Sequence, residues 1–207
     1  MKKICLIIFF LCIVNSLYST PNNGPNYFST GVIYTNYVGQ PFQIADNNKL
    51  LLKGVSISFK GEEAIFSNKK LALIAKANYF LPSLTIIDNN SVSHNLIAFN
   101  QDLLIGINYS KPIFNNSFVY VGAGLHLGSN MVVNIEFSYL SYEAGLGVDS
   151  GIKINLSKTI FLDLGLQTSL DLLQWATFES SLENQSGFTD NFIGYKSNIS
   201  CLLCFKL

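Results

Sequence analysis

Apolar and polar residues alternate along most of the chain, and the period is two. Segment 160–172 shows it most clearly. Ile160, Leu162, Leu164, Leu166, Leu170 and Leu172 share one face, with Thr168 among them, while Phe161, Asp163, Gly165, Gln167, Ser169 and Asp171 share the other. Successive side chains of a strand point to opposite sides, so this spacing predicts a strand with two unlike faces. A helix would scatter both sets around its circumference.

Seven further segments repeat the pattern. In 142–154, Tyr142, Ala144, Leu146, Val148, Ile152 and Ile154 oppose Glu143, Gly145, Gly147, Asp149, Gly151 and Lys153. In 117–127, Val119, Val121, Ala123, Leu125 and Leu127 oppose Tyr120, Gly122, Gly124 and His126. In 101–109, Leu103, Ile105, Ile107 and Tyr109 oppose Asp102, Gly106 and Asn108. Segment 70–79 sets Leu71, Leu73, Ala75, Ala77 and Tyr79 against Lys76 and Asn78. Segment 50–59 sets Leu51, Val55, Ile57 and Phe59 against Gly54, Ser56 and Ser58; Lys53 interrupts its apolar face on a stem long enough to snorkel. Segment 27–37 is the weakest, with Phe28, Val32 and Tyr34 on one side. Segment 193–207 sets Tyr195, Ile199, Cys201, Leu203, Phe205 and Leu207 against Lys196, Asn198, Ser200 and Lys206.

Eight strands joined in sequence predict an all-β, eight-stranded antiparallel up-and-down barrel. The expected connections are 38–49, 60–69, 80–100, 110–116, 128–141, 155–159 and 173–192, in which long and short roughly alternate. Membrane barrels show this asymmetry, with short periplasmic turns and longer external loops. The Asn- and Ser-rich stretches 46–48, 88–95 and 183–189 fall in the connections and read as solvated tips.

Composition decides which face is outside. Charged residues make up 13% of the 207 residues, about half the usual share for a soluble protein. The polar faces hold Gly, Ser and Asn rather than the Lys and Glu of a wetted surface. Gly122, Gly124, Gly145, Gly147, Gly151 and Gly165 suit the crowded interior of a narrow barrel. Tyr34, Tyr37, Phe59, Tyr79, Phe80, Tyr109, Tyr139, Tyr142, Phe161, Trp175 and Phe178 lie near strand ends, where interfacial girdles are expected. The apolar face therefore points to lipid, giving a transmembrane barrel; a secreted, soluble lipocalin-like barrel is the inverted alternative.

Residues 1–19 read as a signal peptide, with Lys2 and Lys3 before the apolar run 4–14 and small residues Ser16 and Ser19 at its end. Cleavage is expected after Ser19, leaving 20–207 as one barrel domain. Cys12 follows the bulky Leu11, which argues against lipid attachment at that cysteine. The expected location is the bacterial outer membrane. All 13 basic residues are Lys and formal net charge is zero, so nucleic-acid binding is not expected.

The run from Lys111, K-P-I-F-N-N-S-F-V-Y-V-G-A-G-L, resembles the turn and following strand of small bacterial outer-membrane β-barrels. The ending Leu203-Cys204-Phe205-Lys206-Leu207 resembles their C-terminal assembly signal, with Leu in place of the usual terminal Phe. The resemblance implies outer-membrane lipid and the barrel-assembly machinery as partners, the latter through the last strand. It also implies, for some members, a narrow channel for small or apolar molecules.

Catalytic chemistry is thin. His126-Leu127-Gly128-Ser129 distantly resembles the His and Ser of lipid A deacylase barrels, which would make the chain a lipid-modifying enzyme. Those enzymes space the pair by two, whereas a spacing of three puts Ser129 on the face opposite His126, so no enzymatic activity is expected. Cys201 and Cys204 fall on opposite faces by the same parity, which suits neither a disulfide nor shared metal ligation. His94 stands in a connection without partners. No cofactor or metal motif is present in the sequence.

The inward parity instead collects Lys76, Asp102, His126, Glu143, Asp149, Lys153, Asp163, Asp171, Lys196 and Lys206. Charges in a dry interior must be paired to be tolerated. The expectation is a lumen plugged by ion pairs and hydrogen bonds, with the barrel serving a structural or surface-exposed role and the long loops binding an extracellular partner.

Overall fold

The computed structural model describes residues 26–39, 50–65, 70–80, 84–88, 91–92, 97–114, 116–133, 137–180, 184–188 and 193–207. Residues 1–19, read as a signal peptide, His94, the tip 46–48 and part of the tip 88–95 lie outside them, whereas most of the tip expected at 183–189 is the strand Asn184–Phe188.

Eight long strands form the wall: β1 (Tyr27–Gly39), β2 (Leu50–Ala64), β3 (Leu71–Phe80), β4 (Ile97–Pro112), β5 (Phe118–Val133), β6 (Phe137–Asn155), β7 (Ile160–Ser180) and β8 (Gly194–Lys206). Each pairs antiparallel with the next, and β1 pairs with both β2 and β8, so the sheet closes on itself. The short strands Leu84–Asp88 and Ser91–Val92 extend the sheet beside β2, and Asn184–Phe188 pairs with β7.

The register fixes the barrel's geometry. Crossing partners from Tyr27 leads to Glu62, Ile74, Gly106, Gly124, Gly147, Ser169, Lys196 and back to β1 at Tyr37. The circuit returns ten residues further along the strand. Eight strands with that shear tilt by about 40°, given ~3.4 Å per residue and ~4.8 Å between strands. Each residue then climbs about 2.5 Å along the axis, so about ten residues cross the ~25 Å apolar band of such barrels. All eight strands are long enough, and β6 and β7, at 19 and 21 residues, project beyond the band.

The outer face is apolar. Val55, Ile57, Ile105, Leu125, Leu146, Leu166 and Ile199 are each about half exposed. The inner face is polar: Lys60, Lys76, Asn78, Asn108, Asp149, Asp163, Gln167, Lys196 and Asn198 are all buried. This is the inverse of a soluble barrel, and it makes the fold a transmembrane one.

Glycines line much of the inner wall of β4, β5 and β6, where Gly106, Gly124 and Gly147 are successive register partners. Long side chains from elsewhere use the space. A Cβ on Gly147 would stand 2.7 Å from Leu104 Cδ1, and one on Gly165 would stand 2.6 Å from the Tyr120 hydroxyl. At the turn between β4 and β5, Asn116 adopts a left-handed φ of 55°, which Asn tolerates better than most residues.

Several expectations are corrected. The connection expected at 60–69 is shorter, because β2 continues through Lys60 and Glu62 to Ala64. The long loop expected at 128–141 is a hairpin extension: β5 runs to Val133 and β6 starts at Phe137. Its polar residues Asn130 and Ser141, which suggest a loop, instead bond to each other across the strands inside the barrel (3.2 Å). Segment 173–180, expected as loop, is strand. A bulge there pairs Ala144 with Leu173 and Gly145 with Asp171, leaving Leu172 unpaired and reversing the parity beyond it.

The aromatic girdle is also revised. Tyr34, Tyr79, Tyr109, Tyr142 and Trp175 face outward, Tyr142 and Trp175 with ring centroids 6.0 Å apart. Tyr37, Phe80, Tyr139 and Phe161 are buried inside, and Phe178 packs against the interior apolar cluster. Position near a strand end does not decide the face; parity does.

Candidate functional site: the charged barrel interior

Inward side chains fall into layers whose heights follow from the register. At the rim that carries Asn26, Leu207 and the short turns, Tyr27 meets Phe161 edge-on at 5.7 Å and Phe118 lies 6.0 Å from Phe161. At the opposite rim, Tyr37, Leu52, Phe80, Ala98, Val132, Tyr139 and Ala176 form one apolar cluster. Two charged tiers lie between these layers.

The lower tier is balanced, with three lysines and three carboxylates. Lys60 is its hub: Nζ lies 2.9 Å from Glu62, 2.8 Å from Asp149 and 3.6 Å from Asp163. Lys76 Nζ reaches Asp149 at 2.9 Å, and Lys153 Nζ reaches Glu62 at 2.5 Å. The Tyr120 hydroxyl donates to Asp163 at 2.7 Å, and its ring sits under the Lys60 ammonium, 3.8 Å from nitrogen to centroid. Such a contact adds to the attraction that holds a buried cation.

The upper tier holds fewer cations. Lys196 lies 3.2 Å from Asp102 and donates to the side-chain Oδ1 of Asn100 at 3.2 Å. His126 Nδ1 is 2.6 Å from Asp171. One oxygen of Glu143 accepts from the Tyr37 hydroxyl, Asn130 (2.8 Å), Gln174 (3.1 Å) and Ser141 (3.3 Å). The Asn78 amide links the layers, donating to Asp102 at 2.6 Å and to Gln167 at 3.2 Å.

Lys76, Asp102, His126, Glu143, Asp149, Lys153, Asp163, Asp171 and Lys196 are thus all buried in the lumen, split between two tiers. Lys206 is not with them. It shares their parity but lies exposed at the rim, because β8 has left the interior there. Sequence reasoning misses Lys60 and Glu62, since Lys60-Gly61-Glu62-Glu63 looks like a charged turn. Carrying the period three residues past Phe59 would have found both.

Ser129 stands three residues from His126 on the same strand, on the opposite face of β5, so the two are not a nucleophile and base in contact. Cys201 is exposed to the outside and Cys204 is buried inside. Among the described residues no three His, Cys, Asp or Glu side chains are grouped to hold a metal ion.

A closed eight-stranded barrel with an apolar exterior and charged interior defines the class: a small transmembrane β-barrel. No protein-family description matches the sequence, and no curated protein does. Solved structures do match in fold. Neisserial surface protein A superposes with a TM-score of 0.57 at 14% identity, over 88% of this chain and 97% of that one. Outer membrane protein AlkL in lipid bilayers gives 0.57 at 11% identity, over 91% and 94%. A major outer membrane protein from Thermus thermophilus gives 0.50 at 9% identity, over 86% and 100%. These are bacterial outer-membrane barrels, and the chain shares their architecture.

Proposed function

We propose that this barrel is a non-conducting, non-enzymatic scaffold that holds its long loops at the cell surface, where they bind an extracellular partner. The observation that supports it most is the buried ion-pair network, flanked at both ends by apolar side chains. A water-filled pore would leave such groups solvated and individually mobile, whereas these charges are paired and out of solvent. A rigid scaffold with variable loops is a common division of labour. Assembly into the membrane is assigned to β8 as the strand read by the assembly machinery.

The test is planar-bilayer recording on the refolded protein. The reading expects no stable unitary conductance. A sizeable, long-lived open state would overturn the plugged lumen and favour the narrow-channel alternative. Altered lipid A in cells expressing the protein would overturn the non-enzymatic part.

A further inference from the structure

Charges outside the lumen are unequally distributed between the two ends. At the rim of the short turns, Lys70, Lys111, Lys158 and Lys206 are all exposed. Glu63 is the acidic side chain near them on the outer face among the described residues. Lys111, Lys158 and Lys206 make no ion pair with any described residue. The connections leaving the other end carry, by sequence, Asp46, Asp88, Glu136, Glu183 and Asp190 against Lys49, with Glu179 near the end of β7 and Lys53 near the start of β2.

The same basic rim exposes apolar side chains where turns usually show polar ones. Phe114, in the β4–β5 turn, is 65% exposed, and Leu156, in the β6–β7 turn, is 57% exposed. Each lies two or three residues from a lysine, Lys111 and Lys158 respectively. An apolar tip beside a flexible cation suits a membrane interface, with the ring or alkyl group in the acyl boundary and the ammonium among headgroups.

We infer that this rim is a docking ring for anionic phospholipid headgroups of the periplasmic leaflet, with Lys111, Lys158 and Lys206 engaging lipid phosphates while Phe114 and Leu156 seat the turns. The orientation rests on the short-turn rule for such barrels. The chemistry rests on like-signed, unpaired cations held within reach of a surface that supplies the opposite charge. Each lysine near an anionic surface is worth about fivefold in lipid partition, so three give up to about a hundredfold, less whatever salt screens.

The experiment uses the folded protein in nanodiscs of mixed phosphatidylglycerol and phosphatidylcholine, with retained lipids counted by native mass spectrometry. Wild type is expected to keep phosphatidylglycerol in excess over its bulk share, and salt at about 0.5 M should reduce the excess. The triple variant Lys111→Gln, Lys158→Gln, Lys206→Gln should lose it by about tenfold or more, while the matching Lys→Arg triple keeps it. Inorganic phosphate at millimolar concentration should not displace the lipid, which separates a membrane-bound headgroup from a free anion site. Both triples lie at exposed positions, and unchanged heat-modifiable gel mobility verifies folding. Equal phosphatidylglycerol retention by wild type and the Gln triple overturns the inference. So does a Gln triple that loses binding to purified peptidoglycan while keeping its lipid preference, since the ring would then serve the cell wall.

Discussion

Replacing Lys60 with Met tests the interior network at its hub. Lys60 touches three carboxylates, and the lower tier balances three cations against three anions. In Lys60→Met, Glu62 keeps Lys153 and Asp149 keeps Lys76. Asp163 keeps only the Tyr120 hydroxyl among these partners, so one buried carboxylate loses its cation. Removing one partner of a buried ion pair costs about 3–5 kcal/mol, and the ammonium–Tyr120 contact adds about 0.5–2 kcal/mol. Met fills a similar volume, so cavity formation contributes little. Guanidinium unfolding in lipid vesicles, followed by Trp175 fluorescence and gel mobility, reads the loss. With a slope of about 4 kcal/mol/M, the midpoint should fall by about 1 M. The double variant Lys60→Met, Asp163→Asn removes the stranded charge and should recover about half of the loss, a coupling of about 1–3 kcal/mol. A single variant within about 0.5 kcal/mol of wild type, or a double variant no better than the single, refutes the reasoning: the tier would then be hydrated and its pairs energetically idle.

Other expectations follow from the same geometry. Gly165→Ala places a Cβ 2.6 Å from the Tyr120 hydroxyl and 2.7 Å from Ser200 Oγ, so it should destabilise the barrel by about 1–3 kcal/mol. Adding Tyr120→Phe and Ser200→Ala should relieve part of that in the same unfolding assay. Leu125→Lys, near mid-height on the outer face, should cost about 2–4 kcal/mol in a bilayer, whereas Glu179→Lys, beyond the apolar band, should cost less than about 1 kcal/mol; equal costs would argue against the membrane placement. Asp171→Asn removes the carboxylate charge beside His126 Nδ1 and should shift the His126 imidazole NMR signals while leaving the lower-tier lysines unmoved.

Much of this architecture is legible in the sequence because a strand's period of two survives any tertiary context. The eight-strand count and the separation of Leu166 and Ile105 from Asp149 and Lys196 onto opposite faces come from parity, and composition then turns the apolar face outward. Pairing is not legible. Lys76 meets Asp149 across 73 positions because the strands tilt and the register shifts by ten around the barrel, and no local pattern carries that shear. Strand ends are also poorly marked. The polar run Lys60-Gly61-Glu62-Glu63 looks like a turn, yet it is a strand whose inward charges are neutralised by distant partners. Near the far end of β7, the bulge at Leu172 reverses the faces, which is why Phe178 turns inward. The interior cap of Tyr37, Phe80 and Tyr139 is hidden from sequence reading because aromatics near strand ends suit an interfacial girdle equally well.

A membrane barrel requires its apolar face to meet lipid and its charged face to be enclosed. Cys201 and Cys204 stand on those opposite faces three residues apart. A spin label attached to Cys201 in the unfolded Cys5→Ser, Cys12→Ser, Cys204→Ser variant, followed by refolding into vesicles, reports the environment of the outer face by electron paramagnetic resonance. Strong relaxation by lipid-dissolved oxygen, and little by a water-soluble nickel chelate, is expected for a wall embedded in the bilayer. A label at Cys201 that is relaxed by the nickel chelate and shielded from oxygen would place that face in water and the barrel outside the membrane.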